Sequence, residues 1–230
     1  MSNTQLTWNR TGSKSLTIFI PGWATNASIF PPPAEDSDSL YIEAYAPEDL
    51  LQSLPKTLED TAYTQFNWIG FSMGCHLAGE LSLLFSQTQS LSLIGFSPTY
   101  DTLTLKGILK FLRADFSGYL KAFYKACFAN ESDYLSFSNT TENSLITSLS
   151  QPLLDAGLDF LASRAVTKST LKEWSPTAVY HGDADLIAPA KRTQALCESA
   201  DICFTLLPNQ GHIPNFKSPE FNAIYPNLHS

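Results

Sequence analysis

The sequence predicts an α/β fold: a mostly parallel central sheet flanked by helices, with a helical cap inserted in it. Three observations predict it. Short apolar runs rich in β-branched residues alternate with stretches of helical periodicity between Ser15 and Pro98. From Thr99 to about Trp174 only helical patterns and loops appear. The strand-helix alternation then resumes at Pro176. The expected division is a core of residues 1–98 and 175–230, interrupted by a cap over 99–174. No internal repeat or long low-complexity tract is present.

Each element follows from local pattern. "SLTIFIPG" (Ser15–Gly22) is an apolar run stopped by Pro-Gly, and reads as a buried strand. "PPPAEDSDS" (Pro31–Ser39) is a loop by composition. "LYIEAYAP" reads as a second strand, and "LLQSLPKTLED" as a helix interrupted at Pro55. "FNWIGFS" is a third strand, and "MGCHLAGELSLLFSQ" has apolar residues at near-helical spacing. "LSLIGFSP" is a further strand, ended by Pro98. In the cap, Leu105, Ile108, Leu109, Leu112 and Phe116 recur at helical spacing. Leu120, Phe123 and Cys127 continue that face, with a break expected at Ser117-Gly118. "PLLDAGLDFLASRAV" is another helix. "PTAVYHGDAD", "PAKRTQALCESA" and "ICFTLLP" then give strand, helix and strand.

The stretch "NWIGFSMGCHLAGE" places Ser72 between Gly70 and Gly74, at a strand-to-helix junction. A serine hydroxyl is a weak nucleophile; it needs a base, an acid that orients the base, and donors for a developing oxyanion. Gly-x-Ser-x-Gly in this context holds the serine on a sharp turn and aims a helix N-terminus, here the Met73 N–H, at a negative oxygen. The partners follow in chain order. Asp183 and Asp185 lie in "HGDADLIAP" and His212 in "LPNQGHIPNF", each after a strand. Open α/β sheets build their sites in such loops. His212 would take the Ser72 proton, and an aspartate would hold the imidazole in the right tautomer. Asp101 is a more distant candidate for the acid. In the bland alternatives His212 and the two aspartates are solvated turn residues. His76 packs or caps, His181 is structural, and His229 lies in the tail. "IPGWATNASIF" supplies the Trp23 N–H as a second oxyanion donor, with the indole as core aromatic or pocket wall.

These motifs together resemble the α/β-hydrolase superfamily, from about Leu16 to Phe221. Within it the sequence is most similar to the pimeloyl-[acyl-carrier protein] methyl ester esterases of biotin synthesis. The similarity rests on "PGWATNASIF", "WIGFSMGCHLAGE", "GFSP", "DFSGYLKAFYKACF", "LLDAGLDFLASRAV", "YHGDADLIAP" and "GHIPNF". It implies a serine esterase with Ser72, Asp185 and His212 as catalytic residues. Asp185 is preferred to Asp183 because Gly182-x-x-Asp185 and Pro189 match the family's acid loop. Phe123 matches an aromatic lining the acyl channel. The implied partner is acyl-carrier protein bearing the ester; no cofactor is implied. The sequence departs from the family in three ways, the first being a short N-terminus with little room for an additional strand hairpin. Pro21-Gly22 replaces a His-Gly, and residues 126–163 contain no Lys or Arg, where relatives bind the carrier through cap arginines. Lys106, Lys110, Arg113, Lys121 and Lys125 form a substitute basic stripe, or simply a solvated helix face. Another small-ester or thioester hydrolase, a menaquinone-pathway lyase of the same fold, and a non-catalytic binding relative remain as alternatives.

The bulk properties set limits. A formal charge of -8 argues against bare nucleic-acid binding. The N-terminus has no apolar h-region and no run of 18 apolar residues occurs, so no secretory signal or membrane span is expected. There is no phosphate-cradling loop or dinucleotide fingerprint. Cys75, Cys127, Cys197 and Cys203 lack metal-ligand spacing and read as reduced, buried thiols. The expectation is a cytoplasmic monomer without metal.

Overall fold

The structure is a computed structural model, and it describes residues 4–32 and 37–216. His229 and the end of the resemblance, through Phe221, lie outside the described residues. Seven strands form one sheet among them: β1 (Gln5–Asn9), β2 (Ser15–Ile20), β3 (Asp38–Ala44), β4 (Gln65–Phe71), β5 (Thr88–Ile94), β6 (Ala178–Gly182) and β7 (Phe204–Leu207). Their order is β1-β3-β2-β4-β5-β6-β7. β1 runs antiparallel to β3, and all the other pairs are parallel. β1 is a strand that the sequence pattern did not predict; it stands at the edge of the sheet, paired with β3 and not in a hairpin with β2. It is half-exposed, and its register is set by β3.

Alternation sorts side chains to the two faces of the sheet. Ile18, Ile20, Leu40, Ile42, Trp68 and Leu93 pack on one face in the larger core. Helices α1 (Pro47–Glu59), α2 (Met73–Ser82), α8 (Lys168–Trp174) and α9 (Ala190–Ala200) form a contiguous layer. The opposite face carries Phe19, Tyr41, Ile69, Phe71 and Ile94, packed with Phe30, Ile213 and Phe216.

Helix α1 runs unbroken through Pro55, contrary to the expected interruption. Leu50, Leu54 and Leu58 are buried at i, i+4 and i+8. Each fully buried leucine is worth about 1.5–3 kcal/mol. Together they outweigh an interior proline's cost of about 3 kcal/mol. Pro47 opens the helix at its first turn, where no N–H is needed.

Between β5 and β6 the chain forms α3 (Thr102–Ala114), α4 (Phe116–Ala126), α5 (Glu131–Phe137), a π-helical segment (Ser138–Glu142), α6 (Asn143–Ser148) and α7 (Gln151–Ala162), and then α8. Thr99 bridges Ala165 and Val166 N–H donates to Pro98 O, closing the base of the insert. Although α8 falls within the stretch read as cap, it packs on α2 and α9 beside the sheet. The break expected at Ser117-Gly118 falls at Asp115. Its carboxylate accepts from Gly118 N–H and caps α4, and a Cβ at Gly118 would run into that carboxylate.

Candidate active site

Ser72 stands between β4 and α2 with φ 51 and ψ -116, a left-handed conformation costly for a residue with a Cβ. The two flanking glycines explain how the turn closes. A Cβ on Gly70 would come within 2.6 Å of Cys75 Cα, and one on Gly74 would meet the Ile20 and Pro21 carbonyls. The turn is therefore pressed between β2 and its own helix, and Ser72 projects from it.

The structure brings Ser72, His212 and Asp185 together. His212 Nε2 is 2.9 Å from Ser72 Oγ, and His212 Nδ1 is 2.7 Å from Asp185 Oδ2. All three residues are buried. Burial alone would raise the Asp185 pKa. The His212 charge and hydrogen bonds from His181, His212 and the Ala188 N–H override it, holding the carboxyl well below the usual range. An ionised Asp185 requires Nδ1–H on His212, which leaves Nε2 free to accept the Ser72 hydroxyl proton. The Asp185 Oδ1 accepts from the Ile187 and Ala188 N–H groups, both at 2.8 Å.

Asp183 and Asp101 are elsewhere. Asp183 N–H donates to Leu207 O at the end of the sheet. Asp101 caps α3, its carboxylate accepting from Thr104 N–H and Oγ1 at 2.7 Å each. His76 donates from Nε2 to Ser97 O and sits among Phe96, Tyr100, Phe160 and Trp174. Burial drives its pKa down to about 4, despite the Ser97 carbonyl and aided by the Arg164 charge, so it stays neutral at pH 7.

Trp23 follows Gly22, whose Cβ would come 2.7 Å from Ser72 Cβ, so this loop passes directly over the serine. The Trp23 indole is buried, meets Phe123 edge-on at 5.2 Å and donates from Nε1 to Leu154 O of α7 at 2.9 Å. Met73 opens α2, so its N–H has no acceptor within that helix. Ser72, His212, Trp23 and Phe123 line one cavity of about 540 Å³, walled by Leu105, Ile108, Leu158 and Leu161.

Compared with known proteins, the chain matches no family model and no curated protein sequence. Solved structures match over nearly all of it. A hydrolase from Pseudomonas aeruginosa superposes with a TM-score of 0.82 at 16% identity, covering 100% of this chain and 95% of that one. An esterase from Exiguobacterium antarcticum gives 0.78 at 17% identity, covering 98% and 94%. An alpha/beta hydrolase enzyme from a Medee basin deep-sea metagenome library gives 0.76 at 12% identity, covering 98% and 94%.

The fold is the α/β-hydrolase fold.

In α/β-hydrolases the turn carrying the serine and the loop after an early strand face each other across the sheet end. Ser72 and Trp23 occupy those two places here. The α/β-hydrolase core also holds a residue that the sequence reading missed. His181 is fully buried, and its Nε2 lies 3.1 Å from Asp185 Oδ2 while also contacting Ala188 O. The available signal was the four-residue spacing to Asp185 across a tight turn.

The basic stripe is split over two helices. Lys106, Lys110 and Arg113 lie on α3, and Lys121 and Lys125 on α4, all exposed. Arg113 pairs with Asp155 of α7 at 2.9 Å; the other four make no ion pair among the described residues. Among the described residues no helix is long and apolar enough to cross a membrane, and no group of three or more His, Cys, Asp or Glu could hold a metal. Cys75, Cys127 and Cys197 are buried free thiols. Cys203, expected to be buried, is exposed because it leads into β7 at the sheet edge.

Proposed function

We propose that this chain is a serine carboxylesterase that hydrolyses the methyl ester of a pimeloyl group on acyl-carrier protein. The observation that carries ester hydrolysis is the hydrogen-bonded path from Asp185 through His212 to Ser72, ending in an apolar cavity. The fold it shares with an esterase supports the same reading. The specific substrate rests on the sequence resemblance.

In this reading Ser72 Oγ attacks the ester carbonyl as its proton passes to His212 Nε2. The oxyanion forms between the Trp23 and Met73 N–H groups. The tetrahedral species collapses, the C–O bond to methoxide breaks, and His212 returns its proton to make methanol. A water then attacks the acyl-Ser72 ester, with His212 again taking and returning one proton, to release the free acid. Asp185 stays ionised throughout and stabilises the imidazolium. The insert from α3 to α7 acts as the cap, with Trp23 and Phe123 against the acyl chain. The protein works as a cytoplasmic monomer, and the exposed lysines of α3 and α4 meet the acidic carrier.

The test is hydrolysis of the carrier-bound methyl ester, with p-nitrophenyl butyrate as generic substrate and Ser72→Ala alongside. The expected result is cleavage of both by the wild type. The Ser72→Ala protein should lose roughly 10⁴-fold or more in kcat and retain its unfolding transition. Cleavage of the small ester alone would refute the carrier substrate. Undiminished turnover in Ser72→Ala would refute the mechanism.

A further inference from the structure

The cavity beside Ser72 changes polarity along its length. Its inner end holds buried Ser72 and His212. Tyr100 lines the same cavity, and its hydroxyl is buried without a hydrogen-bond partner. That hydroxyl lies near Ser72 and Cys75, and burial raises its pKa. An unpartnered buried hydroxyl is costly, and a ligand oxygen at this spot would satisfy it. The walls between are largely apolar: Leu105, Ile108, Leu158 and Leu161, with Trp23 and Phe123. Lys191 and Arg192, both exposed, line its solvent end.

These two cations have no structural employment. Neither makes an ion pair among the described residues. Both sit in the first turn of α9, where the helix dipole disfavours positive charge. Asp101 also lines the cavity and feels the Arg192 charge, but its carboxylate is engaged by Thr104. Two cations against this one carboxylate still leave the solvent end with one net positive charge, on a chain of net -8.

We infer that this cavity takes a linear ester with an anionic group at its far end, held by Lys191 and Arg192; this rests on the esterase reading above. The ester lies at Ser72, the methylene chain along Leu105, Ile108, Leu158 and Leu161, and the anion at the rim. The anion's shared chemistry is a carboxylate or phosphate on an apolar linker. It belongs either to the second acid of a dicarboxylic monoester or to the arm of a carrier.

The experiment compares monomethyl pimelate, dimethyl pimelate and a phosphopantetheine thioester of monomethyl pimelate on the wild type and on K191Q/R192Q. The wild type is expected to prefer the anionic esters. The double variant is expected to lose about tenfold in kcat/KM on them, through KM, and to stay within about twofold on the neutral diester. About 0.5 M salt should erode the same preference. A response confined to the thioester assigns the anion to the carrier arm; a response of monomethyl pimelate assigns it to a free carboxylate. Cleavage of the diester with no charge preference, or an equal fall on every ester, overturns the inference and leaves the esterase reading standing. If no ester is cleaved, the esterase reading falls. Calorimetric binding of the pimelate dianion then decides the inference: binding lost in the double variant sustains it, and absent binding overturns it.

Discussion

Asp185 Oδ2 faces two histidines, His212 at 2.7 Å and His181 at 3.1 Å. The second one bears on how firmly the imidazole is aimed. His181 is fully buried and its Nδ1 has no partner, so Nε2 carries the proton and donates. In the proposed mechanism it would act through Asp185, as a positioning residue. His181→Phe removes that donor while filling the space. The expected loss is about tenfold in kcat on p-nitrophenyl butyrate with KM nearly unchanged, the worth of one charge-assisted hydrogen bond. Steady-state kinetics check it; a wild-type kcat would show that Asp185 needs no second anchor. Residues of this kind are hard to read from sequence. Ser72 announces itself through its flanking glycines. His181 matters only because the turn after β6 folds its ring back over Asp185.

At the scale of elements, the junction between β1 and β2 depends on one carboxylate. Asp38, at the start of β3, accepts from the N–H groups of Thr11, Gly12 and Ser13 at 2.7, 3.0 and 3.1 Å. The Thr11 hydroxyl and Tyr63 also donate to it. Burial works to raise its pKa, but the donors prevail and lower it from 3.8 to about 2. A depressed carboxylate pKa stabilises the fold above the unfolded value and ceases to do so as pH falls through the folded value. Asp38 thus contributes about 2 kcal/mol above pH ~4, lost between pH ~4 and ~2. Asp38→Asn should therefore unfold at lower urea than the wild type at pH 7, and the gap should narrow below pH ~4 and close as pH drops toward about 2. A gap independent of pH would remove the charge from the explanation. The long strands were legible because apolar runs identify them locally. β1 was not, because "QLTWN" is half-exposed and gains its strand character from pairing with β3. Nor was the helix break at Asp115, since glycine drew the prediction three residues too far.

At the scale of the molecule, a net charge of -8 coexists with a row of exposed lysines on the insert. An acidic partner would be repelled by the body and drawn to this row, a matter of encounter rate more than of final affinity. Reversing Lys121 and Lys125 to Glu should lower kcat/KM for a carrier-bound ester about tenfold at low salt while leaving p-nitrophenyl butyrate unchanged. Equal effects on both substrates would exclude steering. The strand order lay beyond the sequence, because β2 beside β4 and β3 at its other edge are long-range choices. The order Ser72, Asp185, His212 was readable. Their meeting at hydrogen-bond distance is a product of the whole sheet.

The indole of Trp23 is fastened to the insert, by its N–H to Leu154 and by its ring against Gly157, where a Cβ would come within 2.7 Å. The same residue's backbone passes over Ser72. A shift of α7 that widened the cavity would pull on the loop above the serine as well. Under the proposed function, admission and chemistry would hang on a single pivot, so an α7 remodelled for a bulkier acyl chain would detune the serine unless Trp23 were allowed to stay where it is.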